Sequence, residues 1–239
     1  MKAIASDLDG TLMFNRKVSE ASKNCISLFQ REGYFGLCTG RPLSGLEDIK
    51  DIYFDFYILS SGALILNKAK EAIKEYLIDK HTAESIYDEY KNQSEIIFQT
   101  NDPDHFFITS EVDIPKSTYV RSFDDVRDLK IYSVSLLFKS EEEAKREVNK
   151  LSLKYPDIDA YQNVDSIDIV LKGVSKGTGV KFIKAYLHVD EMIGIGDSYN
   201  DLPLFNACDV SCTFITSPDE VQKKVDHVVL SFEEAMARF

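Results

Sequence analysis

From residue 3 to residue 59 the chain alternates short apolar runs with helical patterns, and that alternation leaves few folds open to it. Residues 3–6 read as a strand. Ser19 to Arg31 reads as a helix with Ala21, Cys25, Leu28 and Phe29 on one stripe, stopped at Gly33. Tyr34 to Cys38 is the next strand. Pro42 opens a helix running to about Ile52, and Phe56 to Leu59 forms a third strand. Strands joined in this way by helices need right-handed crossovers and therefore predict a parallel sheet. The final third resumes the pattern with a helix from Ser175 to Leu187, a buried strand Met192 to Ile195, a helix over 201–207, a strand over 210–214 and a helix over 218–225.

The middle follows another grammar. Helical patterns over 82–93 and 141–153 accompany strands over 95–99, 105–110, 131–138, 158–162 and 166–171. Asn101-Asp102-Pro103-Asp104 and Val164-Asp165 have the composition of hairpin turns. The predicted fold class is therefore α/β. Residues 1–80 and 172–239 build a Rossmann-like parallel sheet core with helices on both faces, and 81–171 inserts an α+β unit with an antiparallel sheet. An insertion needs no linker, because its entry and exit lie side by side.

The 239 residues carry 28 basic and 40 acidic side chains, a net charge of −12. No basic patch is present to bind nucleic acid. An anionic substrate must be drawn in by local cations, because the overall field repels it. No apolar run approaches the roughly 20 residues that span a bilayer. The opening Met1-Lys2-Ala3-Ile4-Ala5-Ser6 leaves no room for the apolar part of a signal peptide, so a cytoplasmic protein is expected. Cys25, Cys38, Cys208 and Cys212 form no paired motif and read as small buried apolar residues. Cys208 and Cys212 are spaced to share a helix face, but without a histidine nearby they do not make a zinc site.

Four short motifs carry chemistry: Asp7-Leu8-Asp9-Gly10-Thr11, Thr39-Gly40-Arg41-Pro42, Ser175-Lys176-Gly177 and Gly196-Asp197-Ser198-Tyr199-Asn200-Asp201. In a parallel sheet, ligands gather beyond the carboxyl ends of the strands. Asp7, Thr39, Ser61 and Asp197 each follow a predicted strand, so one edge collects them, and Lys176 at a helix start can join. Asp7 and Asp9 lie two apart, on the same side of an extended chain, so one can attack while the other moves protons. Asp197 can share a divalent cation with Asp7. Hard oxygen donors without His or Cys suit Mg²⁺. Thr39 and Lys176 taken singly read as a helix cap and a solvated surface lysine. Together with Asp7 they supply the donors and positive charge that a phosphoryl transition state needs. An EF-hand loop from Asp7 would need Glu where Val18 stands. The glycines at 194 and 196 lack a third at Tyr199 for a dinucleotide fingerprint.

Taken as a set, these motifs resemble the haloacid dehalogenase-like hydrolase superfamily, and the long insert between the Thr39 and Lys176 motifs resembles its Cof-like branch with a type II cap. The resemblance implies that 81–171 is the cap and that Asp7 is the nucleophile, forming an aspartyl-phosphate. It implies that Asp9 protonates the leaving oxygen and then activates water. By the same resemblance Mg²⁺ binds the Asp7 and Asp197 side chains and the Asp9 carbonyl. Thr39 and Lys176 hold the phosphoryl oxygens, Asp201 orients Lys176 or a metal-bound water, and Gly40, Arg41, Ser61 and Asn200 line the substrate. Relatives often carry Asn where this chain has Ser61, which bears on substrate preference. The expected activity is Mg²⁺-dependent hydrolysis of small phosphorylated metabolites, such as a sugar phosphate or a phosphorylated cofactor. The alternatives are a phosphomutase or a catalytically silent metabolite-binding protein. Tyr132, Asp165 and Asp168 are candidate cap contacts, though each also reads as an ordinary strand residue. No motif speaks to oligomeric state.

Overall fold

The computed structural model describes residues 1–111 and 114–239. Along the chain come β1 (Lys2–Ser6), α1 (Glu20–Phe29), β2 (Tyr34–Cys38), β3 (Phe56–Leu59), β4 (Leu64–Asn67) and β5 (Ala72–Glu75). There follow α2 (Lys80–Tyr90), β6 (Glu95–Thr100), β7 (Phe106–Ile108), β8 (Ser117–Tyr119), β9 (Ile131–Leu137), α3 (Glu141–Lys154), β10 (Ile158–Asn163) and β11 (Ser166–Leu171). The last part holds α4 (Lys176–Tyr186), β12 (Glu191–Ile195), α5 (Leu202–Ala207), β13 (Val210–Phe214), α6 (Asp219–Gln222), β14 (His227–Val229) and α7 (Phe232–Met236).

Eight strands form one sheet in the order β14-β13-β12-β1-β2-β3-β4-β5, and six form another in the order β10-β11-β9-β6-β7-β8. From β14 to β3 the first sheet is parallel, as the alternation predicts. Its side chains alternate between two helical layers. Ala3 and Ala5 of β1 pack with Val180 and Ile183 of α4 and Leu204 of α5, whereas Ile4 between them packs with Ile26 of α1 and Phe232 of α7. The second sheet is antiparallel except for the β7–β8 pair, and α2 and α3 cover one of its faces. Among the described residues, no helix is long and apolar enough to cross a membrane.

Several local expectations differ from the structure. β4 and β5 extend the parallel sheet by two antiparallel strands absent from the sequence reading. The Asn67 carboxamide oxygen accepts from Ala69 N and Glu71 N and so closes the hairpin within a lysine-rich stretch that masks it. The segment after Pro42 is a 3₁₀-helix over Leu43–Ile49, not the expected α-helix. Within it the Gly45 carbonyl accepts from the Arg41 guanidinium. On α1 the buried positions are Ser22 and Ile26, while Ala21 and Leu28 are exposed. Cys25 and Phe29 pack against the core as expected, so the stripe is shifted rather than lost, and the buried Ser22 donates to Glu233 of α7, an element the sequence reading missed along with β8 and β14. Cys208 ends α5 and Cys212 lies on β13, so they share no helix face.

One glycine joins fold to site. Gly62 has φ +102°, and a Cβ there would overlap the Ser175 carbonyl oxygen. That contact seats the turn after β3 against the start of α4. Gly62→Ala is expected to destabilise the protein by about 2 kcal/mol or more through strain plus overlap. That corresponds to a fall in melting temperature of roughly 5 °C, readable by thermal denaturation.

Candidate active site

Register brings the motifs together. Ser6 pairs with Leu37 on one side and with Ile195 on the other, so three strands end level. Asp7 N donates to Ile195 O at 2.8 Å and Thr39 N to Ile58 O at 2.9 Å, fixing both residues at the carboxyl edge. Asp197 emerges beside them. Gly10, at φ +80°, lets the chain turn close under it, where a Cβ would stand 2.6 Å from Asp197 Oδ2. Thr11 Oγ1 then donates to Asp197 Oδ1 at 2.8 Å.

Lys176 is the first residue of α4, whose Ser175 and Thr178 form a reciprocal cap. A cation there opposes the helix dipole, yet the residue is 2% exposed rather than solvated. Its Nζ donates to Asp7 Oδ1 and to Asp201 Oδ1, both at 2.6 Å. Burial disfavours the ammonium, but the Asp201 and Asp7 charges outweigh it and hold the lysine well above its ordinary value. The other Asp201 oxygen accepts from Asp197 N and Ser198 N. Asp201 is thus a fully buried hub tying Lys176 to the Asp197 loop.

Oxygens of Asp7, Asp197 and Asp201 lie within 4.8 Å of one another. Three carboxylates here face one ammonium. Burial, joined by the neighbouring Asp201 charge, pushes Asp197 up to about 6. Burial likewise raises Asp7 well above the carboxylate range, opposed by Lys176. Excess negative charge in an all-oxygen donor set is the chemistry of a hard divalent cation, so the residues present fit Mg²⁺.

The remaining site residues are distributed around this centre. Asp9 points to the mouth, where Arg41 Nε and Nη2 grip its carboxylate at 2.7 and 2.6 Å. Thr39 is buried and its Oγ1 accepts from Arg41 N. Asn200 is buried and lines the cleft. Gly40 presents its carbonyl to Gln99 Nε2 of β6 at 2.9 Å. Ser61, at φ +55°, donates from Oγ to Asp168 Oδ2 of β11 at 2.9 Å. Asp168 also accepts from Ser135 Oγ of β9 at 2.8 Å. Burial raises the Asp168 carboxyl, while these two hydroxyls and the Lys176 charge favour its ionised form. Asp165 lies exposed at the rim of the cleft. Tyr132 does not line the cleft and instead donates to Glu75.

A cleft of about 720 Å³ separates this edge from the open face of the six-stranded sheet. Gln99 and Ser135 on that face were not foreseen. The signal was present, because Ser133 and Ser135 fall at alternate positions of an otherwise mostly apolar strand, and period-two polarity marks a face turned from the core.

Sheet and centre together define an α/β enzyme with an acidic centre beneath a cleft. The chain belongs to the haloacid dehalogenase-like hydrolase family, whose profile matches residues 4–237. It is 28% identical over 238 residues to the phosphoglycolate phosphatase of Sulfurisphaera tokodaii, covering 98% of this chain and 89% of that protein. A haloacid dehalogenase-like hydrolase from B. subtilis superposes with a TM-score of 0.87 at 20% identity, covering 99% of this chain and 97% of that one. A sugar phosphatase of subclass IIB superposes with a TM-score of 0.80 at 19% identity, covering 100% and 99%.

Proposed function

We propose that this hydrolase is a Mg²⁺-dependent phosphatase of small phosphorylated metabolites, working through an aspartyl-phosphate on Asp7, with 81–171 as a cap over the core of 1–80 and 172–239. The observation that carries the reading is the Asp7–Lys176–Asp201 bridge with Asp197 alongside, at the floor of the cleft. The names of relatives that are phosphatases, one of them a sugar phosphatase, agree with it.

In this reading Lys176 favours the ionised form of Asp7 against its burial and aims its carboxylate, and it shares its charge with the phosphoryl oxygens beside Thr39. Asp7 attacks phosphorus. A bond forms from its carboxylate oxygen as the bond to the leaving oxygen breaks. Asp9, released by Arg41 as substrate enters, takes up a proton from solvent and passes it to that leaving oxygen. Water then attacks the acyl phosphate, Asp9 takes the proton, and phosphate leaves. Mg²⁺, held by Asp7, Asp197 and the Asp9 carbonyl, would supply positive charge to offset the charge developing on the phosphoryl oxygens.

Purified protein with Mg²⁺ is expected to release phosphate from p-nitrophenyl phosphate, to lose that activity in EDTA and to regain it when Mg²⁺ is restored. Turnover undiminished in EDTA would remove the metal from the reading, and no turnover with any of a panel of phosphate monoesters would remove the phosphatase.

A further inference from the structure

Three consecutive carbonyls run through the loop that carries Thr39, and each of them is taken by a donor. The Thr39 carbonyl accepts from Ser61 N at 3.1 Å and the Arg41 carbonyl from Ser60 N at 3.0 Å. The Gly40 carbonyl between them accepts from Gln99 Nε2 at 2.9 Å, and Gln99 belongs to β6 of the other sheet. The loop orients its own hydroxyl as well. Thr39 Oγ1 accepts from Arg41 N at 3.2 Å, so its proton remains to be given to an oxygen in the centre.

The turn that supplies two of those donors is strained. Ser60 and Ser61 have φ +51° and +55°, and Gly62 follows at +102°. Left-handed backbone at a residue other than glycine persists only where its surroundings over-determine it. The Ser60 hydroxyl is buried with no partner among the described residues, so it does not hold the turn. The Ser61 hydroxyl does, through Asp168 Oδ2 of β11, and Asp168 is anchored in turn by Ser135 Oγ on its Oδ1.

The six-stranded sheet therefore reaches the Thr39 loop by two arms, Gln99 and Asp168. Register puts them on one face, because Ser135 pairs with Asp168 on one side and with Ile97, two residues before Gln99, on the other. Both arms are buried, and the fit is close: a Cβ on Gly40 would stand 2.8 Å from Asp168 Oδ2. Their hydrogen bonds go to the loops that flank the centre rather than to Asp7 or Lys176.

We propose that Gln99 and Asp168 are positioning residues for phosphoryl transfer, through which the six-stranded sheet sets the loop that presents Thr39 to the transferring group. This rests on the phosphatase reading, and it gives that sheet a part in the chemical step that does not depend on which alcohol leaves. Gln99 acts directly on Gly40. Asp168 acts at one remove, holding Ser61 so that the Ser60 and Ser61 amides meet the Arg41 and Thr39 carbonyls. A preset donor stabilises most where charge develops on the oxygen it faces. Loosening the loop therefore slows the chemical step more than it weakens ground-state binding.

The test uses p-nitrophenyl phosphate and orthovanadate, which has no leaving group and takes the five-coordinate geometry of phosphoryl transfer. Gln99→Met keeps the length of the side chain but donates nothing to Gly40. It is expected to lower kcat by about tenfold or more with KM changed by less than about twofold, and to weaken vanadate inhibition by the same factor as kcat. Inhibition by inorganic phosphate, a ground-state ligand, should hardly move. Asp168→Ala releases Ser61 and should show the same split. Asp168→Asn can keep both serines bonded, its oxygen accepting from Ser61 and its amide donating to Ser135 Oγ, and should retain most of the rate. Thermal melts establish that each variant is folded. Where one is not, Ser61→Ala, which breaks the Asp168 arm from the other side, takes its place with the same expectation. Wild-type kcat in the folded variants overturns the proposal, and so does a loss confined to KM. A lowered kcat with unchanged vanadate inhibition overturns it too, since that marks a contact to the leaving group. Asp168→Asn falling as far as Asp168→Ala would assign the effect to charge and remove the Asp168 arm. Turnover of p-nitrophenyl phosphate by the wild type separates the two readings. If it is present, unchanged kcat in the variants removes the positioning role alone, whereas if no phosphate monoester is turned over the phosphatase itself is lost.

Discussion

Asp7→Asn is expected to lower phosphate release by about 10⁴-fold or more while leaving the protein folded. Removing a nucleophile that acts as part of a unit costs most of the rate, and what remains comes from binding and electrostatics alone. The carboxamide has the same shape, and Lys176 keeps its bond to Asp201. Three clustered carboxylates around one ammonium become two, so melting in metal-free buffer should not fall. Added Mg²⁺, which should raise the melting temperature of the wild type by binding the native state, should raise that of the variant much less. Phosphate release surviving at near wild-type rate would remove Asp7 as the attacking group, whatever the melt showed.

Lys176→Met carries the largest expected loss of stability. The methionine fills a similar volume but leaves Asp7 and Asp201 buried without their shared counter-charge. Breaking a buried ion pair from one side costs about 3–5 kcal/mol, or roughly 10 °C in melting temperature for a chain of this size. The deficit has a pH signature whose sign follows from the acids. Asp7 is already raised by burial, and losing the lysine, which opposes that shift, raises it further. A group whose folded pKa lies above its unfolded value stabilises at low pH and loses that stabilisation as pH rises. The variant should therefore melt closer to the wild type near pH 5 than near pH 8. Adding Asp201→Asn should restore part of the loss, a coupling that a double-mutant cycle isolates. A single variant that melts within about a degree of the wild type at both pH values would mean that the bridge contributes little.

Much of the fold was legible because its signals are local. The apolar runs of β1, β2, β3 and β12 and the helices between them fall where periodicity puts them, and parallel pairing follows from their alternation. Convergence of Asp7, Thr39 and Asp197 at one edge was legible too, since each sits just beyond a strand and level strands end together. The burial of Lys176 was not. A lysine opening a helix looks like a surface residue until Asp7, 169 positions away, and Asp201 are known to close over it. Ser61 reads as a truncated asparagine and Asp168 as an ordinary strand acid. Their bond spans 107 positions and gives each a buried role that neither neighbourhood announces. The stripe of α1 was legible in half, with Cys25 and Phe29 packed on the core as expected, but the buried polar Ser22, whose hydroxyl reaches Glu233 on α7, was not.

The amino-acid sequence on its own determined the α/β class, the order of strands and helices, and the residue types gathered for chemistry, because backbone periodicity and strand-end placement act over a few neighbouring residues. Only the tertiary structure decided which of those groups are paired and with which partners. Burial and hydrogen-bond polarity are properties of side chains brought together from distant parts of the chain, and Gln99 facing Gly40 shows as much.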